Sequence, residues 1–214
     1  MHENMTEKTL FVVSDIHGHY TEMKKALESA GFREDDNGHV FVSCGDLFDR
    51  GTENQSVYAF VKRLKNKILL RGNHEDMLLD ILCRGYLTSS DMENEADKTV
   101  SALLGKNAVD EGGRFDRELH AEKIADLTAF IEEMSDYYET ETHVLSHGWL
   151  PIVFEGRYPT VDPHWRAACA EDWRLAHEQD WQHQGGEDCM LPGGHLPDLE
   201  PGGIGDGILP TAHL

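Results

Sequence analysis

Asp15 and His17 stand two residues apart where one apolar run ends, and Asp46, Asp49 and Arg50 crowd into a loop that ends a second run. Asn73 and His74 follow a third run, and His147 follows a fourth. Oxygen and nitrogen donors without a thiolate suit borderline divalent cations such as Mn²⁺, Zn²⁺ or Fe²⁺. They suit Ca²⁺, which takes an all-oxygen cage, less well. One ion rarely needs so many protein ligands. Two ions sharing a bridging carboxylate would use them all, and Asp46 is the natural bridge. A pair of metals roughly 3.5–4 Å apart clamps an in-line displacement at phosphorus and ionises a bridging water at neutral pH.

The neighbouring residues fit that reaction. Arg50 and Arg71 carry forked guanidinium groups that match phosphate oxygens. His74, beside Asn73, can reach a leaving oxygen as general acid, and Asp49 can accept the other imidazole N–H and keep the ring oriented. Taken singly, each residue has a duller reading. Asp-x-His is a common loop feature, a lone arginine sits at the surface, and a lone asparagine marks a turn. What changes the reading is that all of them fall at strand ends. His19, His39, His120 and His164 have no such context and read as ordinary histidines.

The elements that must place these residues alternate in type. Residues 9–13 read as a strand, with Asp15 and His17 on one side of an extended continuation. A helix from about Thr21 stops at Gly31. Residues 39–44 are a buried, β-branched strand leading into Gly45-Asp46-Leu47-Phe48-Asp49-Arg50-Gly51. A helix carrying Val57, Phe60, Val61 and Leu64 follows, then a short strand over 68–70 and a helix with Met77, Leu78, Ile81 and Leu82. Strand alternating with helix predicts an α/β core with parallel pairing, whose sites lie at the carboxyl ends of strands. Residues 86–116 are acidic and weakly patterned, either a helical insertion over the site or a loop. Residues 117–134 return to helix and 143–146 to strand. Trp165, Trp173 and Trp181 recur every eight residues and read as aromatic packing. Residues 185–214 hold eight glycines and four prolines and read as loop or poorly ordered tail.

The 214 residues suffice for one sizeable core. The formal net charge of −21 argues against duplex nucleic acid or an anionic membrane as partner, since both need a basic face. A phosphate substrate stays open, because a metal supplies local positive charge. The four cysteines form no Cys-x-x-Cys pair, and Cys44 and Cys83 read as reduced core thiols. The polar, acidic start shows no signal peptide, and no apolar run reaches membrane-spanning length. A cytoplasmic setting is the expectation.

DIHGHY at 15–20, GDLFDRG at 45–51, RGNHE at 71–75 and SHGWLP at 146–151 resemble the signature blocks of the calcineurin-like metallophosphoesterases. Within these they resemble the phosphoprotein phosphatases, especially the small bacterial and phage serine/threonine phosphatases. The resemblance covers residues 9–151, with the blocks in the family's order. It implies a four-layer α/β/β/α sandwich with a dinuclear site. It places Asp15, His17 and Asp46 on one metal, and Asp46, Asn73 and His147 on the other. It makes His74 the proton donor paired with Asp49, and Arg50 and Arg71 the phosphate binders. Gly194-His195-Leu196-Pro197 is similar to the family's last histidine block and would add His195 to the second metal. There the chain departs from the family. Pro192 and the glycines around it are poor strand formers, so the second half of the sandwich is expected to be incomplete.

The reading is a metal-dependent phosphomonoesterase with two divalent ions, Mn²⁺ first and Fe²⁺ or Zn²⁺ as alternatives. Residues 1–184 would form the catalytic domain and 185–214 a Gly/Pro-rich segment. The substrate would be a phosphorylated protein or a small phosphoester. Symmetrical dinucleoside tetraphosphate hydrolases resemble these blocks almost as well, although they often carry another residue at the Asp49 position. A non-catalytic metal-binding protein with a degenerate site is the alternative of another class.

Overall fold

A computed structural model describes residues 8–148, 150–155, 158–171 and 212–213. Three parallel strands form its centre: β1 (Thr9–Val13), β2 (His39–Ser43) and β3 (Lys67–Leu69). β2 lies between the other two, with Phe11 beside Phe41 and Val42 beside Ile68. The two-residue strand β8 (Ala212–His213) pairs antiparallel with β1. These two residues, in a stretch expected as loop, lie at the sheet edge, giving the order β3-β2-β1-β8.

Side-chain alternation along β1 and β2 sorts the core into two faces. Phe11, Val13 and Phe41 point to the large cluster that also holds Leu27, Val57, Phe60, Leu78, Ile81, Leu104 and Ile131. The helices α1 (Tyr20–Ser29), α2 (Asn54–Arg63), α3 (Asn73–Arg84), α5 (Ala96–Leu104) and α6 (Ala121–Glu132) contribute those partners. Leu10, Val40, Val42 and Cys44 point the other way and meet Leu145 and Tyr138. These belong to an antiparallel pair, β4 (Tyr137–Glu139) and β5 (Val144–Ser146).

Alternation along that second sheet supplies the fourth layer. Tyr137 and Val144, each next in sequence to a residue on the inner face, pack instead against Trp165 and Cys169. Both lie on α7 (Trp165–Glu171), after the antiparallel pair β6 (Ile152–Glu155) and β7 (Tyr158–Val161). The layers are helix, sheet, sheet, helix: an α/β metallophosphoesterase-type sandwich. Among the described residues the second sheet has two strands, and a parallel bridge between Leu70 and Ser135 ties the chain entering β4 to the end of β3.

Several sequence expectations are refined. The helix expected from residue 117 starts at Ala121, because Asp116 turns the chain first, accepting from the backbone N–H groups of Glu118 and Leu119. Cys83, expected in the core, is exposed, whereas Cys44 and Cys169 are buried free thiols. It occupies the outer side of α3, whose buried stripe runs through Leu78, Ile81 and Leu82. Residues 86–116 form two helices, the short α4 (Ser89–Glu93), capped by Thr88, and then α5. Trp165 packs edge-on to Tyr137, while Trp173 and Trp181 lie outside the described residues.

Candidate metal centre

Each site residue sits just past the carboxyl end of a strand. Asp15 and His17 follow β1, Asp46, Asp49 and Arg50 follow β2, Asn73 and His74 open α3 after β3, and His147 follows β5. The loops are laced together by backbone bonds. His17 N–H donates to the Asp46 carbonyl at 2.9 Å, Gly18 N–H to the Leu47 carbonyl at 2.9 Å, and Gly51 N–H to the His17 carbonyl at 2.9 Å. Glu75, fully buried, accepts from three backbone N–H groups: Asp46 and Leu47 at 2.8 Å and Gly72 at 2.9 Å. It thereby holds the second and third strand ends in one place. Gly72 must lack a side chain here, because a Cβ would stand 2.7 Å from the Asp46 amide nitrogen.

The expected extended path through Asp15 and His17 is not what brings them together. Asp15, His17, Asp46, Asp49 and Arg50 all have left-handed backbone, with φ of 51°, 45°, 54°, 72° and 59°. Non-glycine residues rarely adopt this conformation, and strain of this kind gathers where side chains must be aimed. Among the described non-glycine residues only Glu95 and Asn107 also have positive φ.

Two groups of metal-capable side chains result. His17, Asp46 and His74 bring ligand atoms within 4.8 Å of one another, and so do Asp15, Asp46 and His147. Asp46 belongs to both. His17 Nε2 lies 3.5 Å from Asp46 Oδ2 and 3.9 Å from Asp15 Oδ1. His147 Nε2 lies 3.4 Å from Asp46 Oδ1 and 2.9 Å from Asn73 Oδ1. The expected ligands Asp15, His17, Asp46, Asn73 and His147 thus converge, while His195 lies outside the described residues.

The protonation pattern tests whether a cation fits. His17 Nδ1 donates to the Phe48 carbonyl at 2.8 Å, and His147 Nδ1 donates to the Cys44 carbonyl at 2.8 Å. A neutral imidazole has one N–H, so with Nδ1 as donor its Nε2 presents a lone pair. Burial lowers the His17 pKa to about 4, so this ring is neutral near pH 7. Its Nε2 is buried without a hydrogen-bond partner and faces carboxylate oxygens. Acceptors facing acceptors in a dry site repel unless positive charge lies between them. The donor set fits divalent metal, with the backbone carbonyls fixing both tautomers as outer-shell partners do.

Charges around the centre follow the same logic. Burial raises the Asp46 pKa to about 6. Burial, followed by the Asp46 charge, raises Glu75 to about 7 against its three backbone bonds. Burial alone would lower His74, but the Asp49 hydrogen bond and the Asp46 and Asp49 charges outweigh it, and its pKa is raised. His74 Nδ1 lies 2.7 Å from Asp49 Oδ2, and the His74 backbone N–H donates to Asp46 Oδ1 at 3.1 Å. Arg50 Nη2 approaches His74 Nε2 at 3.5 Å. Arg71 forms an ion pair with Asp76 on α3, Nε to Oδ1 at 2.5 Å.

Two contacts to this centre come from the weakly patterned stretch. The Asn94 carbonyl accepts from Arg50 N–H at 3.3 Å, and Thr99 is hydrogen-bonded to Asp49. Motif reading missed both. A signal for Thr99 existed: Ala96, Thr99, Val100, Leu103 and Leu104 fall at helical spacing. A hydroxyl on such a stripe is buried and needs a partner.

A helix-sheet-sheet-helix sandwich with this candidate dinuclear centre defines a metallophosphoesterase-type protein. The family model described as calcineurin-like phosphoesterase matches residues 8–200, and the chain belongs to that family. It is 31% identical over 97 residues to the symmetrical bis(5'-nucleosyl)-tetraphosphatase of Coxiella burnetii, a stretch that is 45% of this chain and 31% of that protein. It is 38% identical over 71 residues to serine/threonine-protein phosphatase 1 of Salmonella typhimurium, covering 33% of this chain and 32% of that one. The match thus spans less than a third of the length of these curated relatives. A cold-active protein-tyrosine phosphatase of a Shewanella species superposes over 68% of this chain and 43% of its own, with 21% identity and a TM-score of 0.45. Among the described residues no helix is long and apolar enough to cross a membrane.

Proposed function

We propose that the chain is a metal-dependent phosphomonoesterase of the serine/threonine phosphatase type. Its substrate is a phosphorylated serine or threonine in a protein, or a small phosphoester. The observation that carries this reading is the 2.7 Å contact between His74 Nδ1 and Asp49 Oδ2, made by a member of one of the two clusters that share Asp46. Asp15, His17, Asp46, Asn73 and His147 would hold two divalent ions, taken as Mn²⁺, and His195 would add a further ligand. When bound, such ions supply Lewis acidity and a water ionised at neutral pH.

The chain's own residues do the rest. Arg50 and Arg71 bind the phosphate oxygens. Asp49 fixes the His74 Nδ1–H, so that Nε2 carries the proton toward the leaving oxygen. Expulsion of an alkoxide needs that proton far more than expulsion of a nitrophenolate. The catalytic unit is taken as residues 1–184. A cytoplasmic setting agrees with the buried free thiols of Cys44 and Cys169.

The test is hydrolysis of p-nitrophenyl phosphate and of a phosphoserine peptide by Mn²⁺-loaded protein, compared with His74→Asn. Turnover of both, with the variant losing about 10²- to 10⁴-fold on the peptide, supports the reading. Metal-loaded protein without turnover, or a variant equal to wild type, overturns it. The stretch shared with the Coxiella burnetii tetraphosphatase favours a second reading, symmetrical dinucleoside tetraphosphate hydrolysis. Dinucleotide cleavage far exceeding phosphopeptide cleavage would establish that one instead.

A further inference from the structure

Thr99 lies fifty residues from Asp49 in sequence, on the face of α5 that is otherwise Ala96, Val100, Leu103 and Leu104, and it is fully buried. Its Oγ1 donates to Asp49 Oδ1 at 2.6 Å and accepts from the Asp49 backbone N–H at 3.0 Å. One hydroxyl thus grips both the side chain and the main chain of a single residue. Asp49 itself is fully buried, has a left-handed φ of 72°, and spends its other oxygen on His74 Nδ1. One residue further on, the Asn94 carbonyl, just before α5, accepts from Arg50 N–H. The stretch between α3 and α6 is therefore the outer wall of the proton-donating pair.

We infer that Thr99 is a positioning residue for the His74–Asp49 pair, completing a Thr–Asp–His chain whose first member comes from α5. This rests on the phosphomonoesterase reading, in which His74 protonates the leaving oxygen. A carboxylate with one oxygen unpartnered in a dry site turns to find a donor or admits water. With Oδ1 bonded to Thr99, Asp49 has one orientation left, and Oδ2 holds the His74 ring with Nε2 toward the reacting oxygen. Valine has the same shape without the hydroxyl. Serine keeps the hydroxyl without the methyl.

The experiment compares wild type, Thr99→Val and Thr99→Ser, loaded with Mn²⁺, on phosphoserine peptide and on p-nitrophenyl phosphate. Thr99→Ala replaces the valine variant if that one does not fold. The valine variant is expected to lose about ten- to a hundredfold in kcat on the peptide, a part of what a general acid contributes, and about threefold or less on the aryl ester. KM should be unchanged, and Thr99→Ser should recover most of the loss. In an Asp49→Asn background, Thr99→Val should cost nothing more, because the two act through one contact. A readout independent of turnover is the low-field proton resonance of the His74 Nδ1–H in metal-free protein. It should be present in wild type and Thr99→Ser and lost to exchange in Thr99→Val.

Equal losses on both substrates, failure of serine to rescue, or an unchanged resonance in Thr99→Val would overturn the assignment. If wild-type protein turns over neither substrate, the phosphomonoesterase reading fails and takes the proton-donor role with it. The resonance still reports whether Thr99 orients the pair.

Discussion

His17 Nε2 points at Asp46 Oδ2 from 3.5 Å while its Nδ1 is spent on the Phe48 carbonyl. With the ring neutral, a lone pair faces a carboxylate inside a buried cluster. On the far side of Asp46, His147 Nε2 lies 3.4 Å from Oδ1. A cation on each side would bind both nitrogens and the carboxylate between them. Added Mn²⁺ should therefore raise the melting temperature, and a chelator should lower it. A ligand at a hundred times its dissociation constant stabilises by about 2.7 kcal/mol. Asp46→Asn should abolish most of the shift, as read by calorimetry with and without Mn²⁺; an equal shift in that variant would place the ions elsewhere.

The same carboxylate sets a pH dependence in metal-free protein. Burial raises the Asp46 pKa to about 6, against about 3.9 for an unfolded aspartate. Between those values the folded state binds the extra proton, so wild type loses stability relative to Asp46→Asn as pH rises from about 4 to about 6. The difference approaches about 3 kcal/mol and is flat above that range. Urea titrations of both proteins at pH 4.5, 5.5 and 6.5 measure it. A difference growing in the opposite direction would contradict the burial assigned to Asp46.

Glu75 is expected to be costly to change even conservatively. Glutamine would keep one acceptor oxygen and turn an NH₂ group toward a backbone N–H that now has an acceptor. Leaving buried donors unsatisfied costs about 1–3 kcal/mol each, so Glu75→Gln should destabilise by about 3 kcal/mol. It should also weaken Mn²⁺ binding, because the loop that carries Asp46 would lose its tie at the Leu47 N–H. Denaturant midpoints and calorimetric titration test the two effects together.

Glu95 offers the opposite sign. It sits at the N-cap of α5 with φ of 59°, a conformation that suits glycine. Its exposed ion pair with Lys98 contributes little. Glu95→Gly should stabilise the metal-free protein by about 0.5–1 kcal/mol, the relief of left-handed strain less the added freedom of the unfolded chain. An unchanged or lower denaturant midpoint would show the strain to be compensated locally.

The candidate ligands were legible because type, spacing and position coincide. Asp15, Asp46, Asn73 and His147 each close a β-branched or apolar run, and a strand end is where an α/β sheet exposes chemistry. The layers were legible from resemblance and strand–helix alternation. What stayed hidden depends on contacts distant in sequence. Thr99 reaches Asp49 only because α5 folds against the helical face of the sheet. The left-handed turns at Asp15 and His17 leave only a weak trace in residue type, since Asp and His are enriched in that conformation but also common in extended chain. Cys83 looked like core because its neighbours are apolar, but a helix presents one residue in that run to solvent.

The centre itself is tested most directly by crystals of Mn²⁺-loaded protein measured at the manganese absorption edge. Two anomalous peaks are expected, roughly 3.5–4 Å apart, one on either side of the Asp46 carboxylate, with His17 and His147 bound through Nε2. A single peak, or none within reach of Asp46 in a folded chain, would contradict it.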